Sequence, residues 1–242
     1  MREETEFIPK PMVRIGGKPV LWHIMKHFAS YGHTDFIICG GYKVEAIKSF
    51  FFSYFEQNLD FTVVLGDPSK TVFHGPNEES GWKITVLDTG LDSTTGSRLL
   101  QAQAHLDDDK FFCTYGDGVA PVNLQSLIAT HSHKATMTVT RPENRFGIVD
   151  FNPNEGKVTA FREKPRMNSL VNIGFFVFEP DIFEVLNPNE MLEEGALGSL
   201  AKSGDLGGYV HEGFWQPLDT FREYQSFNNL WGLGRAPWKT WT

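Results

Sequence analysis

The sequence predicts an α/β fold: one globular domain built on a sheet with crossover helices. Two observations carry this. Short β-rich runs alternate with stretches of helical apolar period along most of the chain, and no fixed-period repeat or low-complexity tract interrupts them. A third bounds the size: 242 residues, 40% hydrophobic and 21% charged, suffice for one full core with room for an inserted subdomain.

The elements follow in order. After Pro19, the residues Leu21, Ile24, Met25 and Phe28 recur at i, i+3, i+4 and i+7, a helix with one apolar face that Gly32 stops. DFIICGGY (35–42) reads as a buried strand ending in a Gly-Gly turn, and Val44, Ile47, Phe51 and Tyr54 mark the next helix. DFTVVLGD (60–67) and WKITVLDTG (82–90) read as strands, followed by a helix from about Ser97 to Leu106. Next come the strand KFFCTYGDG (110–118) and a helix from Asn123, its cap, to about His131. From ATMTVT (135–140) the texture changes. FGIVDF and KVTAFREKP flank NPNEG as a hairpin, VNIGFFVFEP (171–180) adds a strand, and a last helix covers Phe221–Leu230. Residues of about 140–215 thus read as an elaboration packed onto the first sheet.

Several function classes are excluded. A net charge of -8 without a Lys/Arg cluster argues against nucleic acid as a partner. The longest apolar runs, such as FIIC and GFFVF, fall far below the roughly 18 residues that span a bilayer. The charged start MREETE is no signal peptide, so a cytoplasmic protein is expected. Cys39 and Cys113 lie in apolar runs and read as small buried hydrophobes. No Walker A spacing or G-x-S-x-G elbow exists, and GDGVAP lacks the third glycine of a dinucleotide fingerprint. His23 and His27 lack the Glu of H-E-x-x-H and His131-x-His133 has no partner, so surface or core histidines are expected rather than zinc ligands.

In open α/β sheets, ligands bind outside the carboxyl ends of the strands, here the loops GGYK, LDTG, TYGDG and the turn before Phe221. In TYGDG, Asp117 follows an apolar strand directly between Gly116 and Gly118. An uncovered carboxylate there suits magnesium, which takes one or two carboxylates plus substrate phosphates, or it is an ordinary acidic turn. Asp219 in WQPLDT is a second candidate, or simply an N-cap. FREKP offers Glu163 for sugar hydroxyls and Lys164 for a phosphate, the two on opposite sides if the strand persists, or else a charged strand end. STTGSR (93–98) suits anion binding or helix capping. Lys10 and Lys18 each precede a proline, which predicts extended backbone with the side chain aimed in advance at an anion.

Taken together, PKPMVRIGGKPVLWHIM, FIICGGY, LDTG with TTGSRL, TYGDG, FREKP, FWQPLDT and GRAPWKTW resemble the sugar-phosphate nucleotidyltransferases over nearly the whole chain, and most nearly the members that use CTP and glucose 1-phosphate. The resemblance implies a Rossmann-like α/β/α fold with a mixed β-sheet. It places a nucleotide-binding part at about 1–140, a sugar-phosphate-binding β elaboration at about 141–215, and a C-terminal helix and tail at about 216–242. It implies that Lys10 meets the nucleotide phosphates and that Asp117 and Asp219 hold Mg2+. Ser93 and Arg98 would lie along the nucleotide with Gly116 near it. Glu163 and Lys164 would take the sugar and its phosphate, with Gly147 and Gly174 lining that pocket; Lys18 maps to no ligand. Lys10, Asp117 and Lys164 form the implied catalytic set.

The implied reaction makes CDP-glucose and pyrophosphate from CTP and α-D-glucose 1-phosphate for surface polysaccharide (O-antigen) synthesis, in a homo-oligomer. UTP or dTTP is the alternative nucleotide, and a non-catalytic sugar-nucleotide sensor or a metal-dependent glycosyltransferase the alternative class. Two departures from the family pattern stand out. The chain begins just after the position of the family's G-G-x-G-T-R loop, with Arg2 beyond its signature arginine, which raises the expectation of a truncated chain or an altered homologue. Ile173 stands where a second glycine is usual, which bears on the sugar fit.

Overall fold

The structure, a computed structural model, describes residues 8–241. MREETE and Arg2 fall outside the described residues. A 3-10 turn, Lys10–Met12, leads into β1 (Arg14–Ile15) and β2 (Lys18–Pro19), joined by Gly16 and Gly17 at φ 58° and 86°, the two left-handed positions of a tight hairpin. Next comes α1 (Val20–Ala29), buried on all sides rather than on one apolar face. The second face is covered from the far end of the chain. His23 Nε2 donates to Ile15 O at 2.9 Å and His27 Nε2 to Val122 O at 3.0 Å, while Trp238 Nε1 and Thr240 Oγ1 donate to the other ring nitrogens. Both histidines are therefore core residues, as expected.

Then follow β3 (Asp35–Gly40), α2 (Val44–Phe52), α3 (Tyr54–Asn58), β4 (Asp60–Val64), β5 (Asp67–His74) and β6 (Lys83–Asp88). The helix expected through Tyr54 breaks at Ser53, and α2 buries Phe50 rather than Phe51. DFTVVLGD is not one strand: Gly66 at φ 90° turns the chain, and β4 pairs antiparallel with β5. Pro68 is tolerated because β5 is an edge.

The remaining elements are α4 (Thr95–Ala102), β7 (Phe111–Thr114), β8 (Gly118–Val119), α5 (Leu124–Thr130), β9 (Ala135–Thr140), β10 (Ile148–Asn152), β11 (Lys157–Arg162), β12 (Val171–Phe178), α6 (Ile182–Val185), α7 (Ala196–Ser203), β13 (Leu206–Val210), β14 (Gln216–Pro217) and α8 (Phe221–Gly232). Asn123 caps α5 as expected, its side chain accepting from Ser126 N at 2.9 Å. α4 starts earlier than expected because Thr94 is its cap, accepting from Ser97 N at 3.0 Å.

The main sheet has the order β13-β9-β12-β7, with β13 parallel to β9 and the other pairings antiparallel; β3 and β6 form a separate parallel pair. This is the mixed sheet the sequence implied, with one correction. β9, β12 and β13 pair into the same sheet as β7, so much of 135–210 completes that sheet instead of packing onto it. Only the β10–β11 hairpin stands apart from it. β12 is an interior strand of the main sheet, as is β9. Phe175 and Val177 pack toward α1, while Phe176 and Phe178 pack toward α4 and α7, the two-sided burial of an interior strand. Among the described residues, no strand pairs with the second edge of β3 or of β7.

Candidate active site

The site is built where β7 ends. The backbone of TYGDG is tied to β14 through the β8–β14 pair and through Leu218 N, which donates to Asp117 O at 2.7 Å. That pairing brings Asp219 beside Asp117 although the two are far apart in the chain. The Lys10 turn closes on both: its ammonium lies 2.8 Å from Asp219 Oδ1 and 3.5 Å from Asp117 Oδ2. Burial opposes the Lys10 charge, but the hydrogen bond to Asp219 and the two carboxylate charges outweigh it, and its pKa is raised.

Lys10 is not extended, as its following proline led one to expect. Met12 N donates to Pro9 O at 2.8 Å and Val13 N to Lys10 O at 3.1 Å, so the stiffness of the two prolines is used in a closed turn. Gly116 permits the approach, since a Cβ there would lie 2.9 Å from Pro11 Cγ. Lys18 is extended in β2, and its ammonium is held by Asn58 Oδ1 and over the Trp22 and Tyr54 rings at 5.5 and 5.3 Å, a packing role.

Asp219 is not the helix cap. Thr220 Oγ1 accepts from Glu223 N at 3.2 Å, while Glu223 Oε2 accepts from Asp219 N and Thr220 N, each at 2.7 Å. This capping box leaves the Asp219 carboxylate free for Lys10; the spacing T-x-x-E could have signalled it. Among the described residues, no group of three or more His, Cys, Asp or Glu side chains gathers to hold a metal. The pair Asp117 and Asp219 nonetheless suits magnesium, because the Lys10 ammonium shows that one cation reaches both carboxylates, and substrate phosphates would supply the remaining ligands.

The other expected residues fall into two groups. Ser93 lies in the loop following β6 and Arg98 in the first turn of α4; Ser93 Oγ donates to Thr89 O, and Arg98 donates to Thr89 Oγ1 and to Leu91 O. A Cβ on Gly41 would lie 2.4 Å from the Arg98 guanidinium, so Arg98 braces the LDTG loop against GGYK. Among the described residues, no hydrogen bond or ion pair joins Ser93 or Arg98 to Lys10, Asp117 or Asp219.

Glu163, Lys164 and Gly147 form the second group, while Gly174 packs against Tyr115. β11 ends at Arg162, and Lys164 adopts φ 43°, which puts its ammonium 3.8 Å from Glu163 Oε1 instead of on the opposite side. A Cβ on Gly147 would lie 2.7 Å from the Phe161 ring and 3.1 Å from Glu163 Oε2. Gly174, at φ 77°, lies beneath the Tyr115 ring, where a Cβ would come within 2.1 Å. Ile173 is buried in the core, so that departure is absorbed by packing.

A left-handed lysine carries backbone strain of about 1–2 kcal/mol that glycine lacks. Lys164→Gly should therefore unfold at higher urea than Lys164→Ala, by about 1 kcal/mol, with turnover lost in both. Equal stabilities would show the conformation to be unstrained.

Sequence reasoning missed Arg145, whose Nη2 is 3.7 Å from Asp219 Oδ2 and 3.7 Å from Glu223 Oε1. It also missed a polar chain beside Gly174: Asn172 Nδ2 donates to Tyr115 OH at 3.2 Å, and Tyr115 OH and Thr95 Oγ1 both donate to Glu193. Nothing in the local patterns links Glu193 to Tyr115.

Asp117 and Asp219 thus lie together at the end of the sheet, with the Lys10 turn closing on both. Residues 4–216 match the profile of the family described as Nucleotidyl transferase, and the chain belongs to that family. A relative named glucose-1-phosphate cytidylyltransferase, from Salmonella typhimurium (strain LT2), is 43% identical over 247 residues that cover all of this chain and 95% of that protein. Solved structures share the fold at lower identity. HddC from Yersinia pseudotuberculosis has a TM-score of 0.64 at 18% identity, over 93% of this chain and 90% of that one. The inositol-1-phosphate CTP transferase from T. maritima has a TM-score of 0.64 at 13% identity, over 95% and 90%.

Proposed function

We propose that this chain transfers the cytidylyl group of CTP to α-D-glucose 1-phosphate, giving CDP-glucose and pyrophosphate. The observation that carries the chemistry is the Lys10 ammonium shared by Asp117 and Asp219; the 43% identical relative supports the choice of substrates. A phosphate oxygen of the sugar attacks the α-phosphorus in line, the new P–O bond forms as the bond to the β-phosphate oxygen breaks, and no covalent protein intermediate is needed.

Asp117 and Asp219 would hold Mg2+, which would supply charge neutralisation to the phosphates. Lys10, displaced from the carboxylates, meets the nucleotide phosphates. Lys164 takes the sugar phosphate and Glu163 the sugar hydroxyls. Ser93 and Arg98 shape the loop along the nucleotide, and Gly116, Gly147 and Gly174 let backbone and ligand approach. Catalysis is positioning and charge neutralisation.

We also take the protein to be a cytoplasmic homo-oligomer supplying surface-polysaccharide synthesis. Support for assembly comes from apolar side chains left in water, Leu65 at 92% exposure and Phe52 at 91%, with Phe161 on the second hairpin. No helix among the described residues is long and apolar enough to cross a membrane.

Pyrophosphate release with glucose 1-phosphate and Mg2+ tests the reading. CTP should exceed UTP and dTTP by at least about tenfold in kcat/KM, as expected where a site hydrogen-bonds a distinguishing group of its substrate. Better turnover with UTP or dTTP would overturn the nucleotide but keep the reaction; CDP-glucose binding without any turnover would select a sensor.

A further inference from the structure

We propose that Arg145 is a phosphate-binding residue of this site, and that its guanidinium leaves Asp219 for the phosphate of the sugar when a divalent cation takes that carboxylate. The inference rests on the nucleotidyl-transfer reading and adds a cation to it.

Three observations converge on it. Asp219 is bracketed by cations, with Lys10 on Oδ1 at 2.8 Å and Arg145 facing Oδ2 at 3.7 Å. A metal ligated by Asp219 must displace at least one of them. Second, Arg145 is only loosely engaged. Its approaches to Asp219 and Glu223 are both 3.7 Å, outside hydrogen-bond distance, and Glu223 already uses Oε2 to accept from two backbone amides. An exposed guanidinium held only at ion-pair distance is available for a bidentate phosphate contact.

Third, the segment that carries Arg145 is anchored on the sugar side. Asn144 N donates to Pro165 O at 2.9 Å, Met167 N donates to Pro142 O at 2.9 Å, and the backbones of Glu143 and Arg166 form an isolated antiparallel bridge, just beyond Lys164. Two residues beyond Arg145, Gly147 faces the Glu163 carboxylate. One short loop therefore spans from the Glu163–Lys164 pair to the Asp117–Asp219 pair, and Arg145 is the residue of that loop whose guanidinium faces Asp219.

The test compares the unaltered chain, Arg145→Ala and Arg145→Lys in two turnover-free titrations, one with Mn2+ alone and one with CDP-glucose, which retains the phosphate of the sugar. Arg145→Ala should bind CDP-glucose about tenfold more weakly, the size of a lost charge-assisted contact, yet bind Mn2+ no less tightly because a competing cation is gone. Arg145→Lys should fall between the two for CDP-glucose. In steady state, KM for glucose 1-phosphate should rise while KM for CTP moves by less than about twofold, since the contact is to the sugar phosphate alone.

Equal CDP-glucose affinities would remove Arg145 from the site. Parallel loss of Mn2+ and CDP-glucose binding would make it a support of the capping box and overturn the proposal equally. If the unaltered chain binds UDP-glucose and not CDP-glucose, the proposed nucleotide fails, and the same three-way comparison with UDP-glucose still decides for or against Arg145.

Discussion

Asp117→Asn and Asp219→Asn should each lower turnover by about 10²–10³-fold or more, the scale seen when one preorganised charge-stabilising group is removed. Each change keeps the side-chain shape while removing the charge that Lys10 now neutralises and that magnesium would take. The Mg2+ concentration for half-maximal rate should rise in both. The double variant should be little worse than either single, because residues that act as a unit are not additive.

Stability separates this role from a structural one. Thr220 and Glu223, not Asp219, close the start of α8. Asp219→Asn should therefore leave the urea midpoint nearly unchanged, whereas Thr220→Ala should cost about 1 kcal/mol. Loss of stability with turnover intact in Asp219→Asn would return that residue to the role of a cap and leave Asp117 to hold the metal alone.

A second large effect is expected with acid. Burial outweighs the hydrogen bonds to Ile15 O and Val122 O and pushes the pKa of His23 and of His27 from 6.5 down to about 4. Because the folded pKa is depressed, the unfolded chain binds the protons first. The stability is fully present above about pH 6.5 and is lost as the pH falls toward 4, by about 1.4 kcal/mol per pH unit for each histidine inside that window. His33 and His131 are lowered in the same direction by burial and add to the slope.

Urea unfolding between pH 7 and 4.5 measures this directly. His27→Gln should reduce the pH slope by about one histidine's share, ~1.4 kcal/mol per unit, whatever its stability at pH 7. An unchanged slope would show that His27 is charged in the folded protein. The change should show first at the C-terminal tail, since Trp238 and Thr240 donate to these rings and a protonated ring cannot accept. Trp fluorescence should report it.

How much of this was legible in the sequence differs by element. α1, α5, α8 and the β10–β11 hairpin are readable because their signals are local: an i, i+3, i+4, i+7 period, an Asn cap, a Gly-containing turn. The position of Asp117 is readable too, because a glycine on each side of a carboxylate at a strand end is a local pattern. The β4–β5 hairpin was lost to the sequence because β4 is exposed along its whole length and β5 over much of its own, which leaves little burial alternation to announce them.

The amino-acid sequence by itself determined the α/β class, the family, and the residue types at the strand ends: a carboxylate in TYGDG, another in PLDT, and lysines beside prolines in KPM and EKP. Tertiary structure alone decided which of these meet. Proline restricts a backbone angle but does not choose a partner, so whether Lys10 or Lys18 reaches the carboxylates depends on the TYGDG backbone pairing with β14 and on Gly116 admitting Pro11. It also decided that Asp219 is free, because Glu223 takes the capping bonds, and that Arg145 faces it, because the loop is tied to Pro165. Such contacts join residues far apart in the chain, and no local period or spacing records a distance that only the folded backbone sets.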